Sequence, residues 1–129
     1  VEEHSGGRTA LNQPAGHLET GESLLEAVIR ETQEETGWRF APTDLLGIYQ
    51  WASLENNVTY LRFCFTGQCL EHDSLQALDT GIIRTWWLTR NELAERVAQH
   101  RSPLVLRCID DYDIGKRYPL ELYTDIPAS

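Results

Sequence analysis

The sequence predicts an α+β fold, or a three-layer sandwich, in preference to a doubly wound parallel sheet. Strand-like and helix-like segments are mixed without a regular strand–helix alternation. Breaker clusters at Gln13-Pro14-Ala15-Gly16 and Glu55-Asn56-Asn57 divide segments of different period. A length of 129 residues suits one domain with a single sizeable core.

Taken in order, Val1 to His4 reads as the tail of a strand, Ser5-Gly6-Gly7 as a turn and Arg8 to Leu11 as the returning strand. The chain opens on a strand already under way, so a leading strand is expected to be missing before Val1. After the breaker cluster, His17 to Gly21 forms a loop. Ser23 and Glu26 make a capping-box pattern, and Gly37 is the glycine expected just past a helix end, so a helix of about fourteen residues runs from Ser23 to Thr36. Pro42 to Leu45 is a connector. Leu46 to Ala52 and Val58 to Cys69 are strands paired as a hairpin, the second alternating Tyr60, Arg62 and Cys64 against Leu61, Phe63 and Phe65. His72 to Gly81 is polar and irregular, and Ile82 to Leu88 is a strand with one of Trp86 and Trp87 facing inward. Thr89 caps a helix through Ala98, with Glu92 completing a second capping box. Pro103 to Asp113 follows the 3.6-residue period, Gly115 ends it, and a short Leu120 to Tyr123 strand closes the chain.

Composition excludes several classes of function. The chain carries 20 acidic and 11 basic residues, a formal charge of −9, which repels a nucleic-acid polymer. No apolar run approaches the length of a membrane span and no signal peptide is visible. Cys64, Cys69 and Cys108 are an odd, unpatterned set that fits a reduced cytoplasm. A monomer and a homodimer are equally compatible with the composition.

Chemistry concentrates on the first helix. Leu25, Val28, Ile29 and Thr32 gather on one side, while Arg30, Glu31, Glu34 and Glu35 gather on another. Glu31 is i,i+3 with Glu34 and i,i+4 with Glu35, so the carboxylates repel one another, and the macrodipole near the helix C-terminus opposes them as well. A merely solvated face interleaves lysines, and this helix has none. A divalent cation removes both penalties, and clustered carboxylates are the hard oxygen site that Mg²⁺ or Mn²⁺ prefers.

Gly16, Glu22, Arg30-Glu31, Glu34-Glu35 and Gly37 occupy the seven fixed positions of the motif G-x5-E-x7-R-E-U-x-E-E-x-G-U, where U is aliphatic, and the sequence therefore resembles the Nudix hydrolase family. Thr32 and Trp38 depart from it at apolar positions. Thr32 is expected on the buried side, its hydroxyl bonded to a carbonyl one turn back. Segments Asn12 to Glu19, Arg101 to Val105 and Lys116 to Glu121 resemble a bacterial phosphatase subgroup of that family, associated with thiamine pyrophosphate, hydroxymethylpyrimidine pyrophosphate and nucleoside triphosphates.

The resemblance implies an α/β/α sandwich with a mixed sheet, and Mg-dependent hydrolysis of a phosphoanhydride in a small pyrophosphate substrate. It assigns Glu31 and Glu35 as metal ligands with the backbone of Ala15 or Gly16, and Glu34 as a further ligand or the base. Arg30 fixes a glutamate, Glu22 supports the loop, and Asp79 completes the metal site or acts as base. For the substrate, Tyr49, Gln50 and Trp51 at a strand end, with Tyr60 and Arg62 across the hairpin, are candidates to stack on a heterocycle and contact phosphate, with core packing an equal reading of Trp51. Arg8 and Asn12 are weaker phosphate candidates. The alternative function is a Nudix domain that binds or senses a nucleotide without turnover. The intact Arg30, Glu31, Glu34 and Glu35 set favours the enzyme.

Overall fold

The computed structural model describes residues 1–129. The first helix forms as its end signals require. Helix α1 spans Leu24–Thr36, and at its start Ser23 accepts from the Glu26 N–H while Glu26 accepts from the Ser23 N–H. At its end Gly37 takes φ +77°, a left-handed conformation that an L side chain rarely adopts, and its N–H bonds to the Gln33 carbonyl. The Thr32 hydroxyl donates to the Val28 carbonyl at 2.7 Å, the local bond that a buried threonine needs.

The strands form two antiparallel sheets. β1 (Glu2–Ser5) pairs with β2 (Arg8–Leu11) on one side and with β5 (Ile82–Arg84) on the other. β3 (Trp38–Ala52) and β4 (Thr59–His72) make a long hairpin. The only parallel pairing is the single bridge Leu11↔His100. β5 is followed by α2 (Arg90–Ala94), a 3-10 turn at Val97–Gln99 and α3 (Leu104–Asp113). Both α1 and α3 pack against β3, giving the helix–sheet–helix layering expected. The buried apolar residues are Ala10, Leu11, Ala27, Leu45, Leu46, Leu104, Val105 and Cys108, so the core lies where β2, α1, β3 and α3 meet. No helix is long and apolar enough to cross a membrane.

Several local expectations are corrected. Pro42 to Leu45 belongs to β3 and is no connector: the register slips between Pro42 and Asp44 and again between Leu45 and Gly47, so bulges take up the missing proline N–H within a continuous ladder. The strand from Ile82 stops at Arg84, where its ladder with β1 ends at Glu2. Beyond it neither tryptophan faces inward: Trp86 lies beneath the guanidinium groups of Arg84 and Arg96, and Trp87 is 76% exposed with its ring edge-on to Trp38. The helix capped by Thr89 lasts only to Ala94 before tightening to the 3-10 turn. Leu120–Leu122 is also a 3-10 turn, and strand pairing near it is the isolated bridge between Leu45 and Tyr118.

The capping box supplies a direct test of α1. Ser23→Ala removes the oxygen that accepts the Glu26 N–H, and is expected to lower unfolding free energy by about 1 kcal/mol in urea titration.

Candidate functional site

α1 presents its acidic residues on two sides. The three- and four-residue spacings placed Glu31, Glu34 and Glu35 on one side; that grouping is corrected, because Glu35, seven residues on from Val28, turns toward the core. The structure shows that division. Glu31 and Glu34 join Asp79, from the segment before β5, in a group whose carboxylate oxygens lie within 4.8 Å of one another. The Asp79 N–H donates to the Glu34 carbonyl at 2.9 Å, which ties the later segment onto the end of α1. Glu35 stands outside that group, only 5% exposed, and accepts the Ala15 N–H at 3.3 Å.

Arg30 is the one cation among these acids. Its Nε and Nη2 form a fork on both oxygens of Glu22 at 3.0 and 2.7 Å. Its Nη1 reaches Glu31 at 2.7 Å and Glu34 at 3.1 Å, and Nη2 also donates to the His17 carbonyl. Glu22 in turn accepts the Glu19 N–H, so Arg30 and Glu22 together close the His17–Gly21 loop onto the helix. The Arg30 fork, and then the Glu19 N–H, hold the Glu22 carboxyl below the usual carboxylate range.

The loop meets the helix most closely at Gly16. A Cβ placed there falls inside the Glu31 carboxylate, so only glycine lets the backbone lie against that side chain. Gly16 is thus required by close approach rather than as an ordinary turn residue. The structure places both loop residues by their backbone: Ala15 against Glu35 and Gly16 against Glu31.

An all-oxygen donor set, a glycine cradle and converging like charges fit a hard divalent cation. The three carboxylates have one guanidinium between them, itself committed to Glu22, so the group stays net negative. Glu35 feels the same crowding from within: burial first, with Glu31 and Glu3 adding, pushes its carboxyl up to about 8, against the lowering effect of the Ala15 N–H.

Against this geometry, a NUDIX domain model matches residues 2–108. The chain belongs to the Nudix family. It is 38% identical over 125 residues to phosphatase NudJ of Escherichia coli K12 and to that of Shigella flexneri, spanning 97% of this chain and 80% of theirs. A solved NUDIX hydrolase from Nitrosomonas europaea superposes with a TM-score of 0.97 at 50% identity, covering all of this chain and 88% of that one. This Nudix chain is accordingly an enzyme, a hydrolase of acid-anhydride bonds, and its α1 acids form the motif by which the family resemblance was read.

The remaining candidates lie on the β3–β4 hairpin of the Nudix domain. Trp51 and Tyr60 are cross-strand partners stacked with centroids 5.6 Å apart, and both remain half-exposed, so Trp51 is not core packing. Arg62, two residues along the same face from Tyr60, donates to Gln13 and Asn12. Arg8 donates to the His100 carbonyl. The strand-end candidates Tyr49, Gln50 and Trp51 line a groove of about 650 Å³ between β3 and α3, whose α3 wall sequence reasoning missed. At its wall Asp111, 4% exposed, accepts from the Tyr49 hydroxyl at 2.7 Å and pairs with Arg107 and Lys116. Its only sequence signal was a carboxylate on the inward side of an amphipathic helix.

Two outcomes test the site. Gly16→Ala must displace either the loop or Glu31, and is expected to weaken Mn²⁺ binding at least about 10-fold by calorimetric titration. Glu35 holds in the folded protein, up to about pH 8, a proton that an ordinary glutamate releases near 4.5. Metal-free protein is therefore expected to lose thermal stability as pH rises between those values, and Glu35→Gln to flatten that fall.

Proposed function

We propose that this Nudix hydrolase is a Mg²⁺-dependent phosphohydrolase, with Mn²⁺ able to substitute, acting on a nucleoside triphosphate, thiamine pyrophosphate or a related small pyrophosphate. The observation that carries this reading is the meeting of Glu31, Glu34 and Asp79 beside the Gly16 cradle. Similarity to the NudJ phosphatases over nearly the whole chain supports a phosphate-releasing activity.

In this reading Glu31, Asp79 and Glu35 would hold the metal, and Glu34 would be a further ligand or the base. When bound, such a cation would supply charge to offset the phosphates and to activate water as the nucleophile. The protein's own work is positional. Arg30 holds Glu31 and Glu34 in one orientation while leaving oxygen lone pairs free, and Glu34, the more exposed of the two at 42%, is the carboxylate best placed to accept a proton from water. Glu22 keeps the His17–Gly21 loop from drifting off the helix. The stacked Trp51–Tyr60 pair offers a face on which a heterocycle packs. The acidic surface disfavours polyanions large enough to extend beyond the metal, which supports a small-molecule substrate. Three free thiols support a reducing, cytoplasmic setting.

A phosphate-release panel of nucleoside triphosphates, thiamine pyrophosphate, ADP-ribose and dinucleoside polyphosphates tests the reading, with product identity showing which bond breaks. Mg²⁺-dependent release from at least one member is expected, and release from none by a protein that binds Mg²⁺ overturns it. Glu34→Gln and Glu35→Gln are each expected to abolish release with the fold intact by circular dichroism. In the second variant the amide stands in for the protonated acid already present without metal.

A further inference from the structure

The arginines of this chain are not used alike. Arg30, Arg39, Arg84, Arg90, Arg101 and Arg107 each pair with a carboxylate. Arg62 is half-buried on β4 and has amide oxygens as partners instead: Nη1 donates to Gln13 Oε1 and Nη2 to Asn12 Oδ1, both at 3.1 Å. The two amides are used at their other ends as well. Gln13 Nε2 donates to the Val105 carbonyl of α3 at 2.7 Å, and Asn12 Nδ2 reaches Glu3 Oε1 of β1 at 3.5 Å. One guanidinium thus ties β4, through two consecutive loop side chains, to α3 and β1.

Those loop residues are the last ones before the metal-facing backbone. Ala15, two residues past Gln13, gives its N–H to Glu35, and Gly16 lies against Glu31. A planar fork gripping adjacent side chains fixes both the position and the tilt of the segment, which a single ammonium cannot do. Neutral partners also suit the place. A carboxylate in the loop would hold Arg62 more tightly, yet would add another negative charge beside acids that already repel. We propose that Arg62 is a positioning residue of this hydrolase, which clamps the Asn12–Gly16 loop so that its backbone meets Glu35 and Glu31. It rests on the site reading above only in that those acids are taken to hold the metal. Because Tyr60 lies on the same face of β4, the clamp also sets the aromatic face and the acidic group at one fixed separation.

The test compares wild-type protein with Arg62→Lys, which keeps the charge and loses the fork, and Gln13→Ala, which leaves Arg62 in place and removes its grip. In metal-free protein, amide hydrogen exchange across residues 12–16 is expected to quicken at least about 10-fold in both variants. Mn²⁺ affinity is expected to fall between about 10-fold and 100-fold in both, as for other groups that orient metal ligands. At saturating metal, KM for the best panel substrate should stay within about 3-fold while kcat falls. Unchanged exchange and Mn²⁺ affinity, with KM raised in Arg62→Lys alone, overturns the proposal and makes Arg62 a substrate contact. If Arg62→Lys fails to fold, Gln13→Ala decides alone, unchanged exchange and affinity overturning the clamp. A wild-type protein that releases no phosphate refutes the activity reading and leaves the exchange and affinity comparisons standing.

Discussion

Carboxylates repelling one another at the end of a helix are the constraint from which the rest of this site follows. α1 has no basic residue in its last turn, so only Arg30, one turn earlier, offsets its acids from within the helix. The charge of Arg30 is divided among Glu22, Glu31 and Glu34. The protein relieves the crowding unevenly. Glu31 and Glu34 share the guanidinium, Asp79 is held beside them by its own backbone bond, and Glu35 is turned inward, where burial favours its protonated form. Such an arrangement is unfavourable until a cation arrives, which is the reason to read it as a binding site and not as a surface.

The rest of the fold serves that group by bringing distant segments to it. Ser23 and Gly37 fix where the helix starts and stops, and hence which residues point at the loop. The loop is closed at one end by Arg30 and Glu22 and anchored at the other through Asn12 and Gln13. Asp79 arrives from beyond the long hairpin, and its arrival depends on β5 pairing with β1. If these acids hold the metal as proposed, the site would tolerate no slack, because a displaced carboxylate would be both a lost ligand and an unrelieved charge.

What the sequence revealed, and what it hid, divides along the range of the interactions. Helix α1, both its caps and the Thr32 hydroxyl bond are set within four residues and were legible. So was the grouping of Arg30, Glu31 and Glu34. The separation of Glu35 from its neighbours was not legible: its spacing grouped it with Glu31 and Glu34, and the Ala15 N–H that it accepts on the buried side comes from twenty residues away. Pro42 read as a connector because a proline inside a strand is unusual, and only the bulges opposite β4 accommodate it. One of Trp86 and Trp87 read as inward-facing because large aromatics usually pack, whereas Trp86 lies under two arginines and Trp87 is exposed with its ring edge-on to Trp38. The Gln13–Arg62 contact, across 49 positions, has no local signature at all.

Charge also explains why a protein with a net charge of −9 can be a phosphate enzyme. Its arginines are largely committed to carboxylates, on the surface as well as in the site, so few positive groups remain to draw in a polyanion. Were phosphate recognition to rest on side-chain cations, this composition would oppose it. In the proposed reading a divalent ion held by the α1 acids would reverse the local sign over a few ångströms while the rest of the surface stays negative. On that proposal selectivity would come from size as much as from contacts: a short phosphoanhydride would lie within the reversed field, and a long polyanion would extend back into repulsion.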